Sequence, residues 1–140
     1  QEDFGNGIIR APKDTLIDGM SVLTFAISRP PKSIQQMIDD YNIDVNTDID
    51  YFLIHQANKL IVDRVVKKLK LPTEKVPYDL EEFGNLGGAS IPSLMVTRIA
   101  EPMRNNQPIK MLCSSFGLGL SWGTMLITAN NVIIPELIEI

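Results

Sequence analysis

From Ile49 to Ile54 the chain is almost wholly apolar, and it then enters His55-Gln56-Ala57-Asn58 with no spacer. A short apolar run that follows the polar turn Asn46-Thr47-Asp48 reads as a buried strand. Asn58 is a residue type that caps helices. Beyond it, Ile61, Val62, Val65, Val66 and Leu69 recur at helical spacing and form a buried stripe. Lys59, Asp63, Arg64, Lys67 and Lys68 lie on the other side, with Asp63 and Lys67 spaced for an i,i+4 pair. Pro72 stops the helix. The only histidine of the chain therefore sits at the end of a strand, in a turn that opens a helix. Such a unit needs a sheet for the strand to join and a sheet face for the helix to cover.

The flanking segments extend the same pattern. Residues 1–17 carry glycines, Pro12 and little periodicity, and read as an irregular lead-in. Met20 to Ser28 fits a strand or a buried helix equally well. Pro31 suits a first helical turn, and Ile34, Met37, Ile38 and Tyr41 give the following helix one apolar face. Val76 to Leu80 reads as a short strand. Ser90 is placed to cap a helix with Pro92 near its start. Leu94, Met95 and Ile99 are its core side, and Pro102 limits it. Ile109–Ser115 and Leu120–Ala129 read as strands joined by the turn Phe116-Gly117-Leu118-Gly119, an antiparallel or tightly bent link. The expected class is α/β, with helices packed on a mixed sheet. Residues 18–130 make the domain and 131–140 a tail.

Bulk composition narrows the function. The chain has 140 residues, 44% hydrophobic and 21% charged, which suits one domain or half of a larger unit. A formal net charge of −4 disfavours nonspecific nucleic-acid binding. No apolar run reaches the ~18 residues of a membrane span. The start shows no secretory signal, and the opening Glu2-Asp3-Phe4-Gly5-Asn6-Gly7 looks like the middle of a longer protein. One cysteine makes no internal disulfide, so the expected setting is cytoplasmic.

Three stretches carry candidate chemistry. His55 offers one N–H when neutral; its bland alternative is a core histidine satisfied by backbone. Asn85, within Gly84-Asn85-Leu86-Gly87-Gly88-Ala89-Ser90, offers an amide N–H; its alternative is a turn asparagine. The Phe116–Gly119 turn lets a main-chain N–H approach a ligand, or simply makes a bend. Together they are donors without a strong base, the chemistry that stabilises an oxyanion. Cys113, the lone thiol, lies inside a strand with no cationic neighbour and reads as a small core residue.

These residues carry a resemblance. His55-Gln56-Ala57-Asn58 resembles the HQAN motif of β-ketoacyl-acyl-carrier-protein synthase III and its relatives. Gly84-Asn85 with Ala89-Ser90-Ile91-Pro92 is similar to that family's GNTSAASIP stretch. Phe116 to Gly123 is similar to its FGxGLTWG ending, and Asp18 to Ala26 is a looser match to MDGxxVFxxA. The resemblance implies the carboxyl-terminal half of a thiolase-like layered fold. It implies acyl transfer from acyl-coenzyme A and decarboxylative condensation with malonyl-acyl-carrier protein, with no permanently bound cofactor and no metal. The nucleophilic cysteine would belong to the amino-terminal half, which is thus an expected partner, as are acyl carrier protein and a second copy of the full-length chain. His55 and Asn85 would bind the malonyl thioester oxygen. The backbone at Leu118 and Gly117 would hold an oxyanion, and Gln56, Asn58, Lys59 and Phe116 would contact substrate or carrier.

The match has departures. An arginine common five residues after the family's histidine is Leu60 here, beside Lys59, and lysine lacks the guanidinium fork. Leu86, Gly87 and Gly88 replace the usual threonine, serine and alanine. Two further readings follow: a relative that transfers acyl groups to a hydroxyl or amine, and an inert half that acts only in assembly. Lys59, Arg64, Lys67 and Lys68 form either a basic face for an acidic carrier or an ordinary solvated face.

Overall fold

A computed structural model of the chain describes residues 2, 3, 7, 9–11, 17–105, 107–117 and 119–138. Its elements in chain order are β1 (Glu2–Asp3), β2 (Ile9–Arg10), α1 (Gly19–Ala26), α2 (Arg29–Asp40), β3 (Tyr51–Ile54), α3 (Lys59–Leu69), α4 (Leu80–Phe83), α5 (Ser90–Thr97), α6 (Ala100–Arg104), β4 (Ile109–Gly117) and β5 (Ser121–Ala129). Short 3₁₀ turns occupy Thr73–Lys75 and Gly87–Ala89.

The main sheet has the order β3-β4-β5. β3 runs parallel to β4, with Tyr51 opposite Met111 and Ile54 opposite Ser114. β4 and β5 are antiparallel, with Ile109 opposite Ala129 and Gly117 opposite Ser121. The expected mixed sheet with helices is what forms.

Strand parity explains the layers. Successive side chains on a strand point to opposite faces. Phe52, Ile54, Leu112 and Phe116 accordingly join one core with Ala26 of α1, Ile34 of α2 and Ile61, Val62 and Val65 of α3. Leu53, Met111 and Cys113 point the other way and pack with Leu94 of α5 and Ile99 and Met103 at α6. Helices thus cover both faces of the sheet, and its central strand is buried over most of its length for that reason.

Local chemistry sets the boundaries. Asp18 caps α1 by accepting from the Met20 and Ser21 amides at 3.1 Å, so Met20–Ala26 is helix rather than strand, and Ile27 and Ser28 turn into α2. Pro30 and Pro31 occupy the first turn of α2, where missing N–H groups are no loss. Asn58 caps α3 by accepting from the Ile61 amide at 2.9 Å. The helix closes at Lys70, in left-handed backbone (φ 54°), with Pro72 just beyond. Before β3, the Asp44 and Asp48 carboxylates accept backbone N–H groups of residues 46 and 44. The Lys75 ammonium closes the same turn by donating to the carbonyls of Asn46 and Ile49, each at 2.6 Å.

Several sequence expectations change. Val76–Leu80 is not a strand: its buried member is Asp79, whose carboxylate is bonded to α5, and Leu80 already begins α4. Asp63 pairs with Lys59 at 3.1 Å, one turn before it, rather than with Lys67. Ser90 does not cap α5. The 3₁₀ turn runs straight into the helix, so Ser90 is already helical (φ −57°, ψ −42°), whereas a cap needs extended backbone. Its buried Oγ has no partner. Pro102 lies inside the separate short helix α6. Tyr41 ends α2 with its side chain exposed. The lead-in contains the two-stranded β1–β2 ladder, so it is not wholly irregular. Beyond β5, Arg104 donates to the carbonyls of Ile134 and Pro135, while Ile133 is fully in solvent.

Candidate functional site

His55 follows β3 directly. Its backbone N–H donates to the Ser114 carbonyl at 2.9 Å, which carries the parallel ladder one bond past the strand. The chain then turns tightly: the Ala57 amide donates to the His55 carbonyl, and the Gln56 Nε2 donates to the Ile54 carbonyl at 2.8 Å. The imidazole is 5% exposed and its buried Nδ1 has no hydrogen-bond partner. It is therefore not a core histidine satisfied by backbone. Phe116 holds it from the side, edge to face, with ring centroids 4.9 Å apart. Phe25 stands against Phe116 at 6.1 Å and against Trp122 at 5.5 Å, so three aromatic rings support one wall. Burial pushes the imidazole pKa down, because the interior disfavours the charged form.

Asn85 reaches the same place from α4. Gly84 ends that helix at φ 67°, ψ −164°, a conformation open essentially to glycine alone. The Asn85 Oδ1 accepts from the Gly87 amide at 3.0 Å. That bond occupies the oxygen and leaves the amide NH₂ end as the donor.

A cavity of about 630 Å³ is lined by both His55 and Asn85. Phe116, Gly117, Ser115 and Ser121 supply a second side, and Ile17, Val22, Leu120 and Trp122 an apolar one. Among the described residues its polar lining is imidazole, carboxamide, hydroxyl and main chain, with no carboxylate, amine or thiol. Such a set can donate to a developing negative oxygen. Its hydroxyls are those of Ser115 and Ser121. Cys113 is buried in β4, and burial pushes its thiol pKa up to about 11. No group of three or more His, Cys, Asp or Glu side chains that could hold a metal occurs among the described residues.

The other expected contacts fall differently. Leu118 lies outside the described residues. Gln56 is fully buried and is not part of the cavity lining. Asn58 spends its side chain on the α3 cap. Lys59 is exposed, paired with Asp63, and 5.2 Å from the centre of the Tyr78 ring. Sequence reasoning missed Ser115, Val22 and Trp122 as lining. The register of β4 and β5 sets Trp122 opposite Phe116, on the same face of the sheet, and was the signal for it; nothing local marks Ser115 or Val22.

Comparison with known proteins bears on this arrangement. Residues 40–129 match the family described as 3-oxoacyl-[acyl-carrier-protein (ACP)] synthase III C terminal. A β-ketoacyl-[acyl-carrier-protein] synthase III of Streptococcus pneumoniae is 42% identical over 115 residues, 80% of this chain and 35% of that protein. The chain thus spans about a third of the length of the curated relatives it matches. A 3-oxoacyl-(acyl-carrier protein) synthase from Burkholderia xenovorans superposes with a TM-score of 0.83 at 29% identity, over 91% of this chain and 36% of that one. A synthase III from Pseudomonas aeruginosa gives 0.71 at 28%, over 84% and 37%.

Proposed function

Because the chain belongs to the 3-oxoacyl-[acyl-carrier-protein] synthase III family, as its carboxyl-terminal part, we propose that residues 18–130 supply the oxyanion-binding half of a condensing acyltransferase. The observation that carries this reading is a single cavity faced by His55 and Asn85, with no charged side chain among its described lining residues.

In the intact protein, an acyl group from acyl-coenzyme A is held as a thioester on a cysteine of the amino-terminal half. Malonyl-acyl-carrier protein then enters. Its carbon–carboxylate bond breaks, CO₂ leaves, and the bonding pair moves into the thioester carbonyl as an enolate. The neutral His55 N–H and the Asn85 amide N–H stabilise that oxygen. The enolate carbon attacks the acyl-enzyme carbonyl, and collapse expels the cysteine thiolate, which takes up one proton. The main chain at Gly117 and Leu118 donates to the oxygen of this second, tetrahedral intermediate. A neutral imidazole suits the role, since it donates without removing the proton balance of the step.

Phe116 packs the acyl-thioester beside His55, and Lys59, at the exposed start of α3, meets an acidic carrier. Gln56 and Asn58 act through the turn rather than on substrate. The parent protein works as a cytoplasmic homodimer, with no bound cofactor.

The test uses the intact protein with His55→Ala and Asn85→Ala, assaying CO₂ release from malonyl-acyl-carrier protein and, separately, acylation of the nucleophile. Losing one donor should slow CO₂ release by ~100- to 1,000-fold while acylation persists. Unchanged CO₂ release in both variants would end the reading. A second reading, acyl transfer to a hydroxyl or amine, draws on Gly87 and Gly88, where an added Cβ would meet nothing within 4 Å. That wall leaves room beside Asn85 for a different acceptor. A β-keto product would rule it out.

A further inference from the structure

We propose that Asp79 and Arg98 are positioning residues for Asn85, and that together they clamp its loop; this rests on the reading of Asn85 as an oxyanion donor. Residues 84–89 are exposed and contain three glycines, so the loop has little packing of its own. The helix before it, α4, is four residues long, too short to persist alone. Something outside must fix both.

That something is α5. Asp79 precedes α4 but does not cap it. Its carboxylate is 1% exposed and turns to α5, accepting from Ser93 Oγ at 2.6 Å and Thr97 Oγ1 at 3.2 Å. One residue on, Arg98 donates from Nε to the Tyr78 carbonyl at 2.7 Å and from Nη2 to the Glu82 carboxylate at 2.6 Å. Ser93, Thr97 and Arg98 thus grip both ends of α4. α5 itself begins just after the Asn85 loop, so α4, loop and α5 form a hairpin stitched across its stem.

The choice of a buried carboxylate is informative. An apolar residue would fill the site with no desolvation penalty. Two directed hydrogen bonds instead fix one geometry, the purpose for which buried polar groups are best retained. A displacement of about 1 Å at a reacting group can cost ~100-fold in rate.

The experiment compares Asp79→Ala, Asp79→Asn and Arg98→Met with Asn85→Ala in the intact protein, measuring CO₂ release from malonyl-acyl-carrier protein and acylation of the nucleophile side by side. Asp79→Ala should slow CO₂ release by ~10- to 100-fold and leave acylation unchanged. Asp79→Asn, which can still bond both hydroxyls, should restore most of it. Arg98→Met, at an exposed position that keeps the fold, should show the same split more weakly, and it decides the matter if Asp79→Ala does not fold. Equal loss in both partial reactions, or loss in neither, overturns the clamp. If Asn85→Ala is impaired while the clamp variants are not, only the clamp falls. If Asn85→Ala itself releases CO₂ normally, the reading of the site falls and the clamp's role with it.

Discussion

The His55 imidazole stands edge-on to the Phe116 ring, with centroids 4.9 Å apart and planes at 81°. The two residues end neighbouring parallel strands, so the contact exists only because β3 and β4 are in the register that places Ile54 opposite Ser114. Phe116 covers one side of the imidazole, and burial of the ring disfavours its charged form. The same packing therefore sets both the orientation of the ring and its protonation.

The first prediction concerns that protonation. Burial holds the His55 pKa below its ordinary 6.5. The folded state binds the proton less readily than the unfolded one, so the contribution to stability is present above about 6.5 and is lost as pH falls through the folded value. Because the chain has one histidine, an NMR titration of its ring protons reports this site alone. A midpoint at or above 6.5 would contradict the burial argument.

Cys113 should be silent as a nucleophile. With its thiol pKa pushed up to about 11 by burial, almost no thiolate exists at pH 8. Iodoacetamide should label the chain only after unfolding in denaturant. The stabilising effect of the raised pKa is complete below about 9 and fades as pH rises toward 11.

Leu112→Ala should be among the most damaging core changes. Leu112 is fully buried in the central strand, opposite Phe52 on one side and Leu126 on the other. Truncation leaves a cavity bounded by two strands and should cost about 2–5 kcal/mol, read as a shift in urea midpoint with little change in slope.

Asn58→Ala removes the α3 cap and should cost about 0.5–2 kcal/mol. Since the capped helix fixes the exit of the His55 turn, CO₂ release should also slow, by less than in His55→Ala. Calorimetry of the chain and kinetics of the intact protein read the two effects separately.

Legibility in the sequence followed physical range. The β3–turn–α3 unit was readable because strand, cap and helix are all local: apolar run, Asn58, 3.6-residue stripe. The β4–β5 pair was readable for the same reason. The stretch 76–80 was not, since its structure is decided by Ser93 and Thr97, which lie more than ten residues further on. Ser90 misled because its residue type suits a cap while the preceding 3₁₀ turn had already begun the helix. Met20–Ser28 is ambiguous by residue type, and the Asp18 cap decides it. At the site, His55 and Asn85 stood out as residue types in polar turns, but their meeting at one cavity depends on sheet register and on α5, which no local pattern encodes.

The Lys75 ammonium, donating to the carbonyl of Ile49 across 26 positions of chain, turns the segment from 49 to 75 into a noncovalent ring. His55 is threaded on that ring. Its entry strand and its exit helix are consequently not independent neighbours, and loosening the knot at Lys75 would slacken the imidazole from a point remote from the cavity it faces.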